Sequence, residues 1–286
     1  MSYCPSLFVL VFLLGVFHTH GSDASTLPTL PHWILVDNFE QASPLLNWIK
    51  MDTDNNTQPF IHDPQVTEVR LEAQSNNHYL IKKPAAEGIV GNRKAMSISK
   101  LPTEVAVGDT YTFYTRIKVE YFPNNHSFGL SNLSAQEIAK QNYNAFEPML
   151  RVTDKLESNG VKNNGTLMVM GDNKRYHKIR QLKTGQAAQP MIENKWYELW
   201  YVINNARLEN GGQSYDLYMR GSEFRQQQKV FEDAKFRMKR EQPLGYFMTI
   251  SNTGSSKKPY GNGGLMYDDI YMAKGLALSS PLTSFE

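Results

Sequence analysis

The sequence predicts an all-β chain, a sandwich of two antiparallel sheets, on three observations. Short runs of alternating apolar and polar residues recur along it, clusters of Asn, Gly and Asp separate them, and no long helical period competes. A strand turns successive side chains to opposite faces, so period two marks a segment with one face on a core and one in water. Many such segments with turn residues between them read as a sandwich or barrel.

The clearest run covers 111–122, where Tyr111, Phe113, Ile117 and Val119 alternate with Thr112, Tyr114, Arg116, Lys118 and Glu120. Similar runs occupy 66–71, 79–82, 94–98, 149–153, 166–170, 176–181, 196–204, 214–220, 244–250 and 266–273. Turn clusters such as Asn76-Asn77, Gly108-Asp109, Asn124-Asn125, Asn163-Asn164-Gly165 and Asn210-Gly211-Gly212 supply positive φ or side-chain-closed turns between them. Residues 134–143 fit a short helix or a long loop, and 224–236 is ambiguous in the same way. In 196–204, Trp196 and Trp200 share one face. Tyr197, Leu199, Tyr201 and Ile203 take the other, which is expected to be the core face.

The start of the chain has a different character. An apolar run at 7–17, bounded by Ser6 and His18, is too short to cross a bilayer but suits a signal-peptide core, although no Lys or Arg precedes it. Ser22 and Ala24 fill the small-residue positions of a cleavage site. The expected organisation is a signal peptide at 1–24, a short linker at 25–31, one sandwich domain at 32–275 and a surface tail at 276–286. The protein is therefore expected to be secreted or periplasmic, with no membrane attachment after cleavage. Cys4, the single cysteine, lies in the leader, so the exported chain has no disulfide, thiolate nucleophile or Cys-based metal site. A formal net charge of +2 gives no argument for nucleic acid.

Candidate chemistry follows from the alternation. Tyr114, Arg116, Lys118 and Glu120 share one face of a strand, Glu147, Met149, Arg151 and Thr153 one face of another, and Tyr176, Lys178 and Arg180 form a third row. If the first two strands are neighbours, Arg116 and Arg151 converge. Guanidinium groups grip carboxylate or sulfate in bidentate fashion, and aromatic faces stack on the apolar side of a pyranose. The expected partner is an anionic polysaccharide, bound by Tyr114, Arg116, Lys118, Glu147, Arg151 and Lys178, with Trp200 as a sugar platform. The alternative is a polysaccharide lyase. There Arg116 or Arg151 neutralises a uronate carboxylate, and His126, Tyr143, Tyr176 or His177 moves the proton. A structural module of an exported complex is a third reading.

Other motifs carry less. Asp52 to Asn56 with Asp63 imitates an EF-hand loop, but Thr57 stands where the glycine is required, and an Asn/Asp-rich turn reads better. The glycine-rich segment 260–264 precedes a strand rather than a helix, and reads as a loop at the sandwich rim rather than a phosphate loop. Asn-x-Ser/Thr sequons occur at Asn55, Asn125, Asn132 and Asn164, as expected by chance in so Asn-rich a chain.

Val36-Asp37-Asn38-Phe39-Glu40 and Tyr267-Asp268-Asp269-Ile270-Tyr271-Met272-Ala273 resemble the first and last strands of concanavalin-like (LamG-like) domains, which pair in that family. Trp196-Tyr197-Glu198-Leu199-Trp200-Tyr201-Val202 resembles its W-Y-x-x-W strand. The resemblance spans most of the chain after the leader and implies a concanavalin-like jelly-roll sandwich. The chain as a whole resembles uncharacterised exported proteins of marine, polysaccharide-degrading bacteria. The same resemblance would bring Asp37, Glu40, Asp268 and Asp269 together as a Ca2+ site. The E-x-D-x-E strand of laminarinase-like glycosidases is absent, so an enzyme of this type is expected to be a lyase rather than a glycoside hydrolase. The Gln-Ile-His triplet of alginate lyases on a related jelly roll is absent too.

Overall fold

A computed structural model describes residues 1, 31–73, 75–157, 160–171 and 175–282. The expected leader beyond Met1 and the end of the tail at 283–286 lie outside the described residues. The strands, in chain order, are β1 (Ile34–Asp37), β2 (Trp48–Asp52), β3 (Val66–Leu71), β4 (His78–Lys83), β5 (Ala95–Val105) and β6 (Thr110–Val119). Then come β7 (Asn125–Ser131), helix α1 (Ala135–Gln141), β8 (Phe146–Thr153), β9 (Met168–Met170), β10 (Tyr176–Lys178) and β11 (Trp196–Asn204). The chain continues with β12 (Ser214–Gly221), β13 (Phe224–Lys235), β14 (Leu244–Ser251), β15 (Gly254–Ser255), β16 (Lys258–Pro259) and β17 (Leu265–Lys274).

Two antiparallel sheets result. The eight-stranded sheet runs β13-β12-β11-β6-β17-β4-β3, with β1 pairing the second half of β17, and the seven-stranded sheet runs β10-β9-β8-β7-β14-β5-β2. The pairing of Ile34 with Met272 joins the first strand to the last, as the sequence resemblance implies. Backbone contacts group residues 31–286 as one compact unit. No helix among the described residues is long and apolar enough to cross a membrane.

The alternation sets which face is dry. Tyr111, Phe113, Ile117 and Val119 of β6 and Tyr197, Leu199, Tyr201 and Ile203 of β11 meet Phe128, Leu130, Leu150, Val152 and Phe247 of the opposite sheet in one core. Phe113 stacks on Tyr201 at 5.5 Å between centroids. Burying a side chain of this size is worth about 1.5–3 kcal/mol each, so this face fixes the register.

The outer face of the seven-stranded sheet has its own apolar cover. α1 is opened by a capping box between Ser134 and Glu137, and it brings Ile138 and, just after it, Ala145 onto Met96, Ile98, Met248 and Ile250. The ambiguous segment at 134–143 is thus a short helix and a 3-10 turn. The other ambiguous segment is β13, an edge strand whose register shifts where it pairs β12.

The tail crosses the outer face of the eight-stranded sheet. Thr112 Oγ1 donates to Gly275 O at 2.7 Å and accepts from Ala277 N at 2.9 Å, while Gln227 Nε2 donates to Leu278 O and Trp200 Nε1 to Ser279 O. Trp200 is left 1% exposed. Ending the chain at Gly275 is expected to shift tryptophan emission to the red and to cost about 1–3 kcal/mol of stability. An unchanged emission maximum would mean that the tail does not keep this indole dry.

Candidate functional site

The row expected on β6 forms, but the protein fills it with its own side chains. Arg116 Nε lies 2.6 Å from Asp269 Oδ2, its Nη2 pairs with Asp268 Oδ2 and donates to Asn77 Oδ1 at 3.1 Å, and its guanidinium carbon is 5.0 Å from the Trp196 ring centroid. Asp269 adopts φ 49° in a bulge of β17, which lets two consecutive carboxylates reach one guanidinium. Burial pushes both carboxyls up, and Arg116 pulls them back. Lys118 donates to Glu72 at 2.8 Å and lies over the rings of Trp196 and Tyr79. Tyr114 is buried among Trp33, Trp200 and Tyr271.

Several expectations are corrected here. Tyr114, Arg116, Lys118 and Trp200 do not line an open trough, because ion pairs, rings and the tail cover them. Arg116 and Arg151 do not converge, since β6 and β8 belong to different sheets and both side chains face away from the shared core. The acids expected to hold calcium do not assemble as a metal site. Asp37 accepts from Phe39 N, Gln41 Nε2 and Trp48 Nε1, Glu40 pairs with His78, and Asp268 and Asp269 hold the Arg116 guanidinium where a cation would sit. Among the described residues no group of three or more His, Cys, Asp or Glu is placed to hold a metal. In the EF-hand-like stretch, Asp52 accepts from Asn92 and Asp54 faces Arg93 and Lys94.

Two more candidates are structural. His126 points into the sandwich, 1% exposed, with Nε2 2.8 Å from Gly263 O, and burial pushes its pKa down to about 3, far from that of a working base. Glu147 is wholly buried and accepts from Met238 N, Lys239 N, Arg240 N, Arg240 Nη1 and Asn132 Nδ2. It anchors a loop rather than meeting a ligand. His177 is exposed, on the opposite side of β10 from Tyr176 and Lys178, with its ring 6.1 Å from Phe231. Lys178 is half-buried.

The outer face of the seven-stranded sheet does bring three predicted residues together. Arg151 on β8 is opposite Ser127 of β7 and lies 4.6 Å above the Tyr176 ring. Tyr143, just beyond α1, packs against the same apolar cluster as Tyr176 and is close enough to feel the charge of Arg151. Arg151 donates through Nη2 to Asn125 Oδ1 at 2.8 Å and pairs through Nη1 with Glu157 at 2.7 Å. Asn125 Nδ2 in turn donates to Tyr260 Oη at 3.2 Å.

Beside this cluster lies a cleft of about 330 Å³ lined by Arg93, Lys155, Asn252, Gly254, Ser255, Lys258 and Tyr260. It is built by the β15–β16 hairpin and two neighbouring loops. Gly254 has φ 80°, and a Cβ there would lie 2.6 Å from the Tyr260 ring, so only glycine lets that ring fold against the hairpin. Lys155 Nζ stands 5.2 Å from the Tyr260 centroid and 3.4 Å from Glu157, and Arg93 is 3.5 Å from Asp54. Lys258 makes no ion pair among the described residues. Three cations thus face the cleft and no carboxylate lines it.

The arrangement suits binding better than proton abstraction. Burial raises the hydroxyl pKa of Tyr143, Tyr176 and Tyr260, so these groups stay protonated near neutrality and serve as donors. Arg151 is already held by Glu157 and Asn125. Arg93, Lys155, Lys258 and Asn252 were not singled out from the sequence, and Asn125 and Tyr260 were read only as parts of a turn, a sequon and a loop. The one local signal was a basic pair, Lys257-Lys258, and a tyrosine beside a glycine-rich loop.

No family model matches the chain, and no curated protein matches its sequence. Among solved structures it is similar to the marine PL-14 alginate lyase from Aplysia kurodai, at 13% identity over 86% of this chain and 100% of that one, with a TM-score of 0.50. It is also similar to the metal-free lectin I-B4 from Griffonia simplicifolia, at 6% identity over 86% and 100% of the two chains and a TM-score of 0.47. A further similar structure is the exoplasmic/lumenal domain of VIP36 in its Ca2+/Man3GlcNAc-bound form, at 9% identity over 87% and 91% and a TM-score of 0.45. The opposed sheets and the likeness to the lyase define a concanavalin-like jelly-roll sandwich. At such identities the likeness is one of fold.

Proposed function

We propose that this is an exported, non-catalytic protein that binds an acidic polysaccharide in the cleft between the β15–β16 hairpin and the loop carrying Lys155. The observation that carries the reading is the lining itself: Arg93, Lys155 and Lys258 with the Tyr260 ring, and no acid among them. Cations supply charge-assisted hydrogen bonds to carboxylate or sulfate, and a ring supplies a stacking face. The volume accommodates part of a sugar chain.

Affinity electrophoresis through gels containing alginate, pectate, a sulfated galactan or a neutral glucan tests this. Retardation is expected in at least one anionic gel and to weaken with salt. Lys258→Ala and Arg93→Ala should each weaken retention about tenfold, which corresponds to about 1.4 kcal/mol. Full mobility in every anionic gel, or retardation by the neutral glucan alone, would sink the proposal.

A lyase is the second reading, favoured by Arg151, Tyr143 and Tyr176 lying beside the cleft and by the fold's likeness to an alginate lyase. β-Elimination leaves a conjugated double bond, so absorbance near 235 nm should grow during incubation with a uronate polymer if this reading holds. Retention on the polymer with flat absorbance would leave binding alone.

A further inference from the structure

Three of the four sequons are engaged by the fold. Asn55 Nδ2 donates to Ile61 O at 2.7 Å and to His62 O at 3.2 Å. Asn125 is 4% exposed on β7 and donates to Tyr260, and Asn132 donates to the buried Glu147 at 3.2 Å. In each, the nitrogen that would carry a glycan already donates to an internal acceptor, and Asn125 is buried as well.

Asn164 differs. It is exposed on the turn before β9, its Oδ1 accepts from the Thr166 hydroxyl at 3.0 Å, and its Nδ2 donates to nothing among the described residues. Gly165, the middle residue, has φ 86°, and a Cβ there would fall 2.5 Å from the Phe122 ring, so glycine is what holds this turn against the body. The preceding Asn163 is buried and donates to Glu157 at 2.7 Å. One amide braces the loop that carries Lys155, and the next is presented to solvent.

We propose that Asn164 is the N-glycan acceptor of this chain, the one sequon of four at which the folded protein carries a glycan. The co-reactant is a lipid-diphosphate-linked oligosaccharide. A bond forms between Asn164 Nδ2 and the anomeric carbon, the bond from that carbon to the diphosphate oxygen breaks, the lipid diphosphate leaves, and the amide proton passes to solvent. Transfer precedes folding, so molecules modified at Asn55, Asn125 or Asn132 would fail to close β7 or the loops beside it.

The test is secretion of the full chain from yeast, with its own leader and in parallel with a yeast leader, followed by enzymatic glycan release and peptide mapping. One glycan is expected, with the resulting Asn-to-Asp conversion at position 164 alone. Asn164→Gln and Thr166→Ala should both abolish the mass shift. Secreted protein that is unmodified at Asn164, or modified at any of the other three, overturns the proposal.

Discussion

Replacing Glu147 by alanine is expected to lower the unfolding free energy by about 3–5 kcal/mol, the usual cost of stripping the partner from a buried charge. The carboxylate is fully buried and holds three successive backbone N–H groups, Met238 at 3.0 Å, Lys239 at 2.8 Å and Arg240 at 3.3 Å, together with the Arg240 guanidinium at 2.8 Å. Alanine leaves those donors facing a void. Glu147→Gln keeps the shape and one acceptor oxygen, so its loss should be smaller. Urea midpoints with an unchanged slope would measure both, and a loss below about 1 kcal/mol for the alanine variant would show that water replaces the carboxylate.

The second large effect has the opposite sign. Lys82 sits on the core side of β4, wholly buried, donating to Gln65 and to Thr67 Oγ1 at 3.1 Å with no carboxylate in contact. Burial pushes its pKa down from 10.5 to about 7. The unfolded chain therefore binds a proton that the folded chain refuses between those values, and stability falls as pH drops from 10.5 to 7, then levels off. The shift corresponds to about 4–5 kcal/mol at and below neutrality. Lys82→Met removes that penalty and forfeits hydrogen bonds worth about 1–3 kcal/mol. The variant should be more stable by about 2 kcal/mol at pH 6, with the gain shrinking towards pH 10. An equal difference at both pH values would refute the assignment. Both proteins should weaken below pH 6.5, because unfolded His126 takes up a proton that the folded side chain refuses until about pH 3.

Period two was readable at β3, β6, β11 and β12, but it passed over β2 and left β13 ambiguous although both carry exposed residues. It placed Trp196 and Trp200 on the same side of β11 and the Tyr/Leu/Ile set in the core. It failed at β7, where all seven residues are buried on both faces and no alternation survives, so Asn124-Asn125 read as a turn in what is the start of a central strand. Exposure was beyond reach for a different reason. That Trp200 is dry depends on Ser279 lying over it, a contact between residues 79 positions apart. The cleft was least legible of all, because Arg93, Lys155, Asn252 and Tyr260 come from separate segments whose meeting is decided only by the strand order.

The strand order also governs when the protein can fold. β17, the last described strand in chain order, lies in the middle of its sheet, between β6 on one edge and β4 with β1 on the other. Until β17 has been made, the β13-β12-β11-β6 ribbon and the β3–β4 pair cannot join, and β1 has no partner strand. Long-range pairing of this kind is slow, and it leaves apolar faces uncovered while the chain waits.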